Sequence, residues 1–251
     1  MAGIGNTSAL VGSRVFGAQI AARDASMLKL STGLRINRGA DDPAGLISSE
    51  QLRAVLAQLE AETRVLQRSD AVVNTADGAL GEISDMLVEA EALEVANANT
   101  AGMSDAEIEA NEMQLASIRQ SIDRIASTTT FNGDKLLDGS AEINVAGETL
   151  TIANASVGGQ LTDAASIRAA ASQIATLRGE LGSFSKNIIA PALSNNAVAF
   201  ENVASAESQI RDTDFAAQTA ILARTQVLAD SSAFALGLSN SQSRTVLDLL
   251  G

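Results

Sequence analysis

The sequence has 251 residues, of which 17 are basic and 30 acidic, so its formal net charge is −13. It lacks histidine and cysteine, which excludes Cys/His zinc sites, thiol nucleophiles and a histidine general base. The acidic balance argues against binding of nucleic acid, whose affinity rests largely on phosphate neutralisation. Alanine occupies 46 positions and proline only two, a composition that favours long helices.

The first residues are not expected to form a secretion signal or a membrane span. Residues 1–8 lack the basic stretch followed by an apolar stretch that a signal peptide needs. Nowhere does an apolar run approach the ~20 residues that cross a bilayer. Beyond this start, Ile20, Met27 and Leu34 recur at intervals of seven. Their neighbours are mostly small, so we expect this helical segment to need another helical surface in order to bury itself.

The longest predicted helix begins at Asp42-Pro43, with aspartate as N-cap and proline at the first helical position. Its main signal is one apolar residue in every seven, at Leu52, Leu59, Leu66, Val73, Leu80 and Leu87. A column sustained for so long is typical of a coiled coil or a long bundle helix. The pattern fades near residues 97–102, so we predict a rod-like helix of roughly 50 residues, about 75 Å long.

A second long helix is predicted to open with a capping box at Ser104 and Glu107. Its apolar stripe includes Ile118, Ile122 and Ile125. The β-branched residues 128–130 disfavour helix and should end it. The pairs Asn132-Gly133 and Asp138-Gly139 then predict two turns.

Residues 140–160 are the only part of the chain that the sequence pattern predicts to form strands. Apolar residues alternate at Ile143 and Val145, and again at Leu150 and Ile152. A type II′ turn with its first central residue at Gly147 would place Val145 opposite Leu150 and Ile143 opposite Ile152. A single hairpin is not stable alone, so it should lie against the helices.

The next helix is predicted to start near Asp163 and to be interrupted at Pro191, where a helix loses a hydrogen bond and kinks. Its column of sevens contains Ile167, Ile174, Leu181 and Ile188. Helical pattern resumes around Ala197 and continues to about Leu236. This last stretch has its own apolar columns, at Phe215, Leu222, Ala229 and Leu236 and beside them at Ile221 and Leu228.

Several motifs together resemble the bacterial flagellin family. Five segments are similar to the N-terminal signature of that family, namely residues 30–37 (LSTGLRIN), 41–46 (DDPAGL), 75–80 (TADGAL), 122–126 (IDRIA) and 130–139 (TFNGDKLLDG). The C-terminal signature is similar to residues 201–206 (ENVASA), 210–216 (IRDTDFA) and 246–250 (VLDLL). Between residues 181 and 212 the chain is one residue longer than the usual family spacing, and Pro191 falls inside that stretch.

The resemblance implies a structural subunit that polymerises into the flagellar filament for swimming motility. It implies no catalytic residues, cofactor or metal. The expected partners are further copies of the chain, the flagellar export apparatus, the filament cap and the hook-associated proteins, with no nucleic acid and no membrane insertion. The expected location is the extracellular filament, reached by export without a cleaved signal peptide.

The fold that the resemblance implies is mainly α: a long antiparallel helical rod, a coiled-coil-like bundle, with one small β-hairpin and with the termini forming a paired-helix inner domain. Residues 1–41 and 206–251 would form the inner, filament-core domain. Residues 42–139 and 163–205 would form the two halves of the rod. Residues 140–162 would stand in place of the variable outer domains.

Two sets of residues carry these expectations. Subunit assembly is assigned to apolar residues of the terminal segments, namely Ile20, Met27, Leu34, Phe215, Ile221, Leu222, Leu228, Leu236, Val246, Leu247, Leu249 and Leu250. The rod core is assigned to Leu52, Leu59, Leu66, Val73, Leu80, Leu87, Ile118, Ile122, Ile125, Ile174, Leu181 and Phe184.

Other interpretations of the sequence remain open at this stage. Asp41 with Asp42, or Asp212 with Asp214, could form a cation site, although a helix cap and a solvated helix face are favoured. A hook–filament junction protein shares the terminal pattern and is the alternative function within the flagellum. A cytoplasmic helical scaffold or chaperone-like module is the alternative outside it.

Overall fold

The computed structural model describes the backbone of residues 7–99 and 101–249, and the side chains of residues 7, 9–99 and 101–242. The fold is mainly α, as predicted. Its α-helices are α1 (Thr7–Thr32), α2 (Pro43–Ala98), α3 (Asp105–Thr128), α4 (Ala164–Phe184), α5 (Ala190–Arg211) and α6 (Phe215–Leu249). The strands are β1 (Thr130–Phe131), β2 (Asp134–Lys135), β3 (Glu142–Val145) and β4 (Glu148–Thr151). None of the described helices is long and apolar enough to span a membrane.

The chain divides into two compact units. The terminal unit comprises the described residues up to Leu56 together with those from Glu201 onward, and the central unit is Ala57–Phe200. α1 and α6 therefore belong to the terminal unit, whereas α3, α4 and all four strands belong to the central unit.

The helix starts predicted from local capping residues are confirmed. Asp42 Oδ1 accepts a hydrogen bond of 2.9 Å from Gly45 N–H, and α2 begins at Pro43. Ser104 and Glu107 form the predicted capping box of α3. Asp163 caps α4 by accepting a 2.8 Å bond from Ser166 N–H. These side chains satisfy backbone donors that the first helical turn leaves unpaired.

The prediction that residues 140–160 contain the only strands is wrong. β1 and β2 form an antiparallel pair with Thr130 opposite Lys135 and Phe131 opposite Asp134. The connecting residues Asn132 and Gly133 have φ values of 54° and 96°. Positive φ at both central positions is the type I′ turn that Asn-Gly favours, so this turn signal also builds a short hairpin.

The predicted register of the β3–β4 hairpin is also wrong. The observed pairs include Ile143 with Leu150 and Val145 with Glu148. The two-residue loop is Ala146-Gly147, whose φ values are 54° and 86°, so the turn is type I′ with glycine second, rather than type II′ with glycine first. The observed turn is one residue earlier than the predicted turn, so every residue of β3 pairs with a residue of β4 two positions earlier than predicted.

The helix does not stop at Pro191 and resume near Ala197, which corrects the predicted interruption. α4 passes through a π turn at Ser185–Ile189 directly into α5, and Ala190 N–H donates to Ser185 O, five residues earlier. A π turn is wider than an α turn and carries one residue more. It therefore holds one additional residue without ending the helix at Pro191.

The predicted continuous helix up to Leu236 is wrong at one point. α5 ends at Arg211 and α6 starts at Phe215. Asp214 caps the new helix, because its Oδ1 accepts from the N–H groups of Ala216 and Ala217 at 2.9 and 3.0 Å. Asp212 N–H still donates to Ser208 O of α5, whereas Thr213 N–H donates to Gly33 O outside the helices.

The central unit has one hydrophobic core to which helices and strands both contribute. Leu80, Ile83 and Leu87 of α2 are fully buried, as are Ile122 of α3 and Ile174 of α4. The same core contains Ile143, Val145 and Ile152, so the hairpin packs against the helices as predicted. Ile189, the last residue of the π turn, is fully buried, while Ile188, the predicted column member, is only partly buried.

Candidate functional site

α1 and α6 pack against each other as an antiparallel pair. A Cβ added at Gly12 would lie 3.2 Å from Leu236 Cδ1, and one added at Gly33 would lie 3.8 Å from Phe215. Gly12 near the start of α1 therefore meets the second half of α6, and Gly33 just after α1 meets the first residue of α6. The absence of a side chain at Gly12 lets the two helices approach closely there.

The described residues of α1 and α6 that are fully buried are all small. Ser26 is the described buried residue of α1, and Thr225 and Ala229 are those of α6. Each of these side chains is small, and large apolar residues of the pair, such as Ile20 and Leu236, are only half-buried, so fully buried residues contribute little apolar area.

Large apolar side chains instead lie on the outside of this pair. On α6, Phe234 is 76% exposed and Val227 63%. The set of exposed large apolar residues on the two helices is Leu10, Val11, Val15, Met27, Leu28, Phe215, Ile221, Val227, Leu228, Phe234 and Leu238. Soluble monomers seldom expose so many large apolar side chains on one pair of helices, so this surface is the candidate functional site.

The residues assigned to assembly from the sequence fall into three groups. Met27, Phe215, Ile221 and Leu228 are exposed, and Ile20, Leu34, Leu222 and Leu236 are half-buried. The side chains of Val246, Leu247 and Leu249, and the whole of Leu250, lie outside the described residues. Sequence reasoning missed Val227 and Phe234 because they lie off its seven-residue columns. The available signal was their size in a helix whose other members are mainly small.

The residues assigned to the rod core are mostly buried. Leu66, Val73, Leu80 and Leu87 of α2 belong to the central core, together with Ile118, Ile122, Ile174, Leu181 and Phe184. Ile125 packs against that core and is partly buried. Leu52 and Leu59 are half-buried and lie outside the core.

A short backbone junction connects the end of α1 to the start of α6. Leu34 and Asp212 form an antiparallel β-bridge, in which Arg35 N–H donates to Arg211 O at 2.6 Å and Thr213 N–H donates to Gly33 O at 2.9 Å. The Arg35 side chain adds a bond of 3.1 Å from Nε to Ile210 O. We call residues 33–35 and 210–213 the junction.

An ion pair connects the junction to α2. Arg211 Nη1 lies 3.1 Å from Glu50 Oε1 of α2 and 4.0 Å from Glu207 of its own helix. The Arg211 side chain is only 16% exposed, so these ion pairs are less screened by solvent than pairs on an open surface. The buried Arg211 Nε and Thr213 Oγ1 have no hydrogen-bond partner among the residues that the structure describes.

The DDPAG motif folds the loop that leads from the junction into α2. Asp41 accepts backbone bonds from Arg38 at 2.8 Å and Asn37 at 3.0 Å, and these bonds hold the pKa of its carboxyl below the ordinary value. Gly45 is required by close approach, since a Cβ there would lie 2.4 Å from Asp42 Oδ2 and 2.7 Å from Ile36 Cδ1.

The paired aspartates act as caps and turn-formers in this structure. Asp41 and Asp42 serve the loop and α2, whereas Asp214 caps α6. Asp212 accepts a 2.7 Å bond from Ser208 Oγ. Within the described ranges, no group of three acidic side chains is arranged to hold a metal ion.

Comparison with known proteins gives two family-model matches that cover most of the chain. Residues 5–142 match the model described as bacterial flagellin N-terminal helical region, and residues 164–250 match the one described as bacterial flagellin C-terminal helical region. The junction thus joins a segment of the first match to a segment of the second.

Curated relatives match over nearly the whole length. A flagellin of Halalkalibacterium halodurans is 30% identical, with 98% of each chain covered. The flagellar filament 30.7 kDa core protein of Treponema maltophilum is also 30% identical over 98% of both chains. Bacillus subtilis flagellin is 29% identical and covers 90% of this chain and 91% of its own.

Proposed function

Because this chain belongs to the bacterial flagellin family, and is thus a structural subunit of the extracellular flagellar filament rather than an enzyme, we propose that its α1–α6 pair carries the contacts between subunits. The apolar face of that pair would pack against the same pair in neighbouring copies. In this proposal residues 1–41 and 206–251 form the filament-core domain. Residues 42–139 and 163–205 form a helical rod outside it, with residues 140–162 in place of variable outer domains.

The observation that carries the proposal is the mismatch between what the pair buries and what it exposes. Its buried residues include Ser26 and Ala229, whereas Phe234 and Val227 stand in solvent. Burial of one large apolar side chain stabilises an interface by about 1.5–3 kcal/mol. Packing by neighbouring copies would therefore supply the burial that the isolated pair lacks.

The sequence of the two helices suits an open, repeating contact. A filament needs heterologous contacts, in which one patch of a subunit meets a different patch of the next and the rotation does not close. The exposed side chains of α1, such as Leu10 and Val15, differ from those of α6, such as Phe234 and Leu238. Two unlike apolar surfaces on one pair would support this geometry.

Further partners are part of the proposal. We propose that the export apparatus, the filament cap and the hook-associated proteins handle or contact this subunit, as its family membership supports. Export without a cleaved signal peptide stays a prediction, which the mass of the subunit isolated from filaments would test. The hook–filament junction protein and the cytoplasmic scaffold gain no support from the relatives, which are flagellins and filament core proteins.

The central test replaces one exposed apolar residue. We expect Phe234→Gln to leave helix content and thermal unfolding close to those of the unchanged protein, because the side chain is 76% exposed. Its polymerisation onto sheared filament seeds, followed by sedimentation and negative-stain electron microscopy, should fall strongly. Met113→Gln on α3 of the central unit is the matched control, since Met113 is 63% exposed. Equal polymerisation by the two variants would contradict the proposal.

A truncation tests the last apolar residues of the chain. Deleting residues 245–250 removes Val246, Leu247, Leu249 and Leu250, whose side chains are assigned to assembly from the sequence. We expect a folded protein that no longer forms filaments, because part of the contact surface is missing. Normal filaments from this truncation would show that the C-terminal segment is dispensable.

A further inference from the structure

The register of the α1–α6 pair needs an explanation beyond the packing of the two helices. Register in a helix pair is fixed when large side chains of one helix fit between those of the other. Here the fully buried residues are Ser26, Thr225 and Ala229, which are small and similar in shape. Leu236, which is half-buried, fits closely beside Gly12, so packing opposes a slip by one turn, about 5.4 Å, near that end of the pair. The small residues elsewhere along the pair oppose it little.

The junction opposes such a slip because it leaves almost no slack. α1 ends at Thr32 and the bridge begins with Gly33, while Thr213 of the bridge is only two residues before Phe215, where α6 begins. Thr213 N–H and Gly33 O are 2.9 Å apart from donor to acceptor. Sliding α6 along α1 by one turn would pull this pair far beyond hydrogen-bond distance.

Other contacts hold the junction on both sides of the bridge. Arg35 donates from its backbone to Arg211 O and from its side chain to Ile210 O. Arg211 in turn pairs with Glu50 of α2. The bridge is therefore anchored to a third helix, and its position does not depend on α1 and α6 alone.

We propose that the junction sets the register of the α1–α6 pair and so determines which exposed apolar side chains of the two helices stand side by side. Arg35, Asp212 and Thr213 are positioning residues in this scheme, acting through the alignment of the helices. The assignment of register rests on the contacts above, and its consequence for assembly rests on the proposed function.

The test uses the absence of native cysteine. A Cβ at Gly12 would be 3.9 Å from Leu236 Cβ, which is within the usual range for a disulfide. The pair Gly12→Cys and Leu236→Cys therefore reports the native register. Gly12→Cys with Asn240→Cys, or with Ser232→Cys, reports a slip by about one turn in either direction. Each pair is oxidised in assembled filaments and the cross-linked fraction is measured.

The test weakens the junction by removing one hydrogen-bond donor. Thr213→Pro removes the N–H that bonds to Gly33 O, and Thr213→Val is the matched control that keeps it. The control loses only a buried hydroxyl that has no partner in the described part of the chain, so it should resemble the unchanged protein. We expect Thr213→Pro to lower the ratio of native to slipped cross-links about threefold to tenfold, as the loss of one backbone hydrogen bond predicts. An unchanged ratio in Thr213→Pro filaments would overturn the inference.

A second measurement applies if Thr213→Pro subunits form no filaments. In that case the disulfide of the Gly12→Cys, Leu236→Cys pair, formed before seeding, should restore assembly to the level that the same disulfide gives when Thr213 is kept, because it fixes the register covalently. The disulfide of the Gly12→Cys, Asn240→Cys pair should not restore it. Failure of the native-register disulfide to restore assembly would overturn the inference. Neither cross-linking result depends on Phe234. If the proposed assembly surface were wrong, Phe234→Gln would polymerise normally, and that outcome is distinct from a failure of the register proposal.

Discussion

Single residues at helix starts and tight contacts hold much of this fold in place. Asp41, Glu107, Asp138 and Asp163 each accept a hydrogen bond from a nearby backbone N–H, and in each the pKa of the carboxyl is lowered. At Asp41, Glu107 and Asp163 the main cause is a backbone donor. At Asp138 it is the Ser140 hydroxyl, followed by the Ser140 N–H. In each case the pKa falls because a hydrogen-bond donor favours the charged form of its acceptor. These residues therefore link the local structure to the acid stability of the protein.

Asp163 gives the clearest pH prediction. Its pKa is lowered from 3.8, mainly by the backbone bond from Ser166. A lowered folded-state pKa adds stability above the unfolded-state value, and that stability is lost as the pH falls through the folded-state pKa. We expect Asp163→Asn and Asp163→Ser, which retain a capping side chain, to show a smaller decline of unfolding free energy between about pH 5 and pH 3 than the unchanged protein. Urea unfolding across this range measures it, and an unaltered decline in both variants would contradict the assignment.

Gly158 gives a prediction about packing in the central unit. A Cβ at this position would lie 2.4 Å from Arg119 O and 2.7 Å from Asp123 Oδ1, whereas at Gly159 no atom of the described residues lies within 4 Å. We expect Gly158→Ala to lower the free energy of unfolding by about 1–3 kcal/mol. Gly159→Ala should change it by less than about 0.5 kcal/mol. Denaturant unfolding of the two variants measures this difference. Equal free energies of unfolding would contradict the prediction and show that the backbone near Arg119 can move to accommodate the added methyl group.

At the scale of elements, the π turn keeps two helical faces in register across one extra residue. Leu181 and Ile189 are both buried and are eight positions apart, whereas Ile174 and Leu181 are seven apart. Without the π turn, each residue after it would be rotated by about 100°. The single additional residue therefore explains both the long spacing seen in the sequence and the wider turn.

A deletion tests this role of the π turn. In a Pro191→Ala background, deleting the exposed Asn187 should leave the free energy of unfolding within about 1 kcal/mol, because an α-helix then brings Ile189 to the position seven residues after Leu181. Deleting the exposed Ala175 instead moves Leu177, Leu181 and Phe184 out of register, and we expect a loss of several kcal/mol, about 2–5 for each large core residue displaced. Equal losses from the two deletions, measured by urea unfolding, would rule out the proposed role.

The sequence predicts elements best where the signal is local. The capping side chains Asp42, Ser104 and Asp163 act within one helical turn, and each marks an observed helix start. The β3–β4 register failed because type I′ and type II′ turns both accept Gly147 and differ by one position. The break at residues 212–214 was missed because the apolar column beginning at Phe215 fits the pattern of the preceding segment.

Features that depend on distant residues could not be predicted in this way. The bridge between Leu34 and Asp212 requires contacts that no local pattern records. The exposure of Phe234 depends on how little of α6 is covered by α1, which the helix periodicity does not contain. The proposed assembly surface on the termini follows from the small side chains and the family signature, and the seven-residue columns include some of the exposed residues, such as Phe215 and Leu228, but not Phe234.

For the whole molecule, charge is divided unequally between the two units. The terminal unit contains ten acidic and nine basic residues, and the central unit contains twenty acidic and eight basic. Residues 82–112 alone contain nine acidic residues and no basic one. Repulsion between subunits must therefore come from the central unit, whereas the terminal unit is nearly neutral.

This division predicts how salt affects assembly. We expect polymerisation to improve as salt is raised to a few hundred millimolar, because at such ionic strengths charges more than about 5–10 Å apart are screened from each other. Replacing Glu94, Glu109 and Glu112 with glutamine should lower the salt requirement, while replacing them with aspartate should not. The critical concentration for seeded polymerisation against salt measures this, and a flat or inverse dependence would refute the electrostatic argument.

The junction also has a consequence for the order in which the chain folds. Leu34 and Asp212 are 178 positions apart, and closing so long a loop in an unfolded chain costs roughly 4–5 kcal/mol in entropy. Contacts within the central unit join α2 to α5, as between Asn196 Nδ2 and Glu62 Oε2 at 3.4 Å, and once these contacts have formed far shorter segments are left to close. The terminal unit should therefore form last and open first, so its amides should exchange hydrogen fastest.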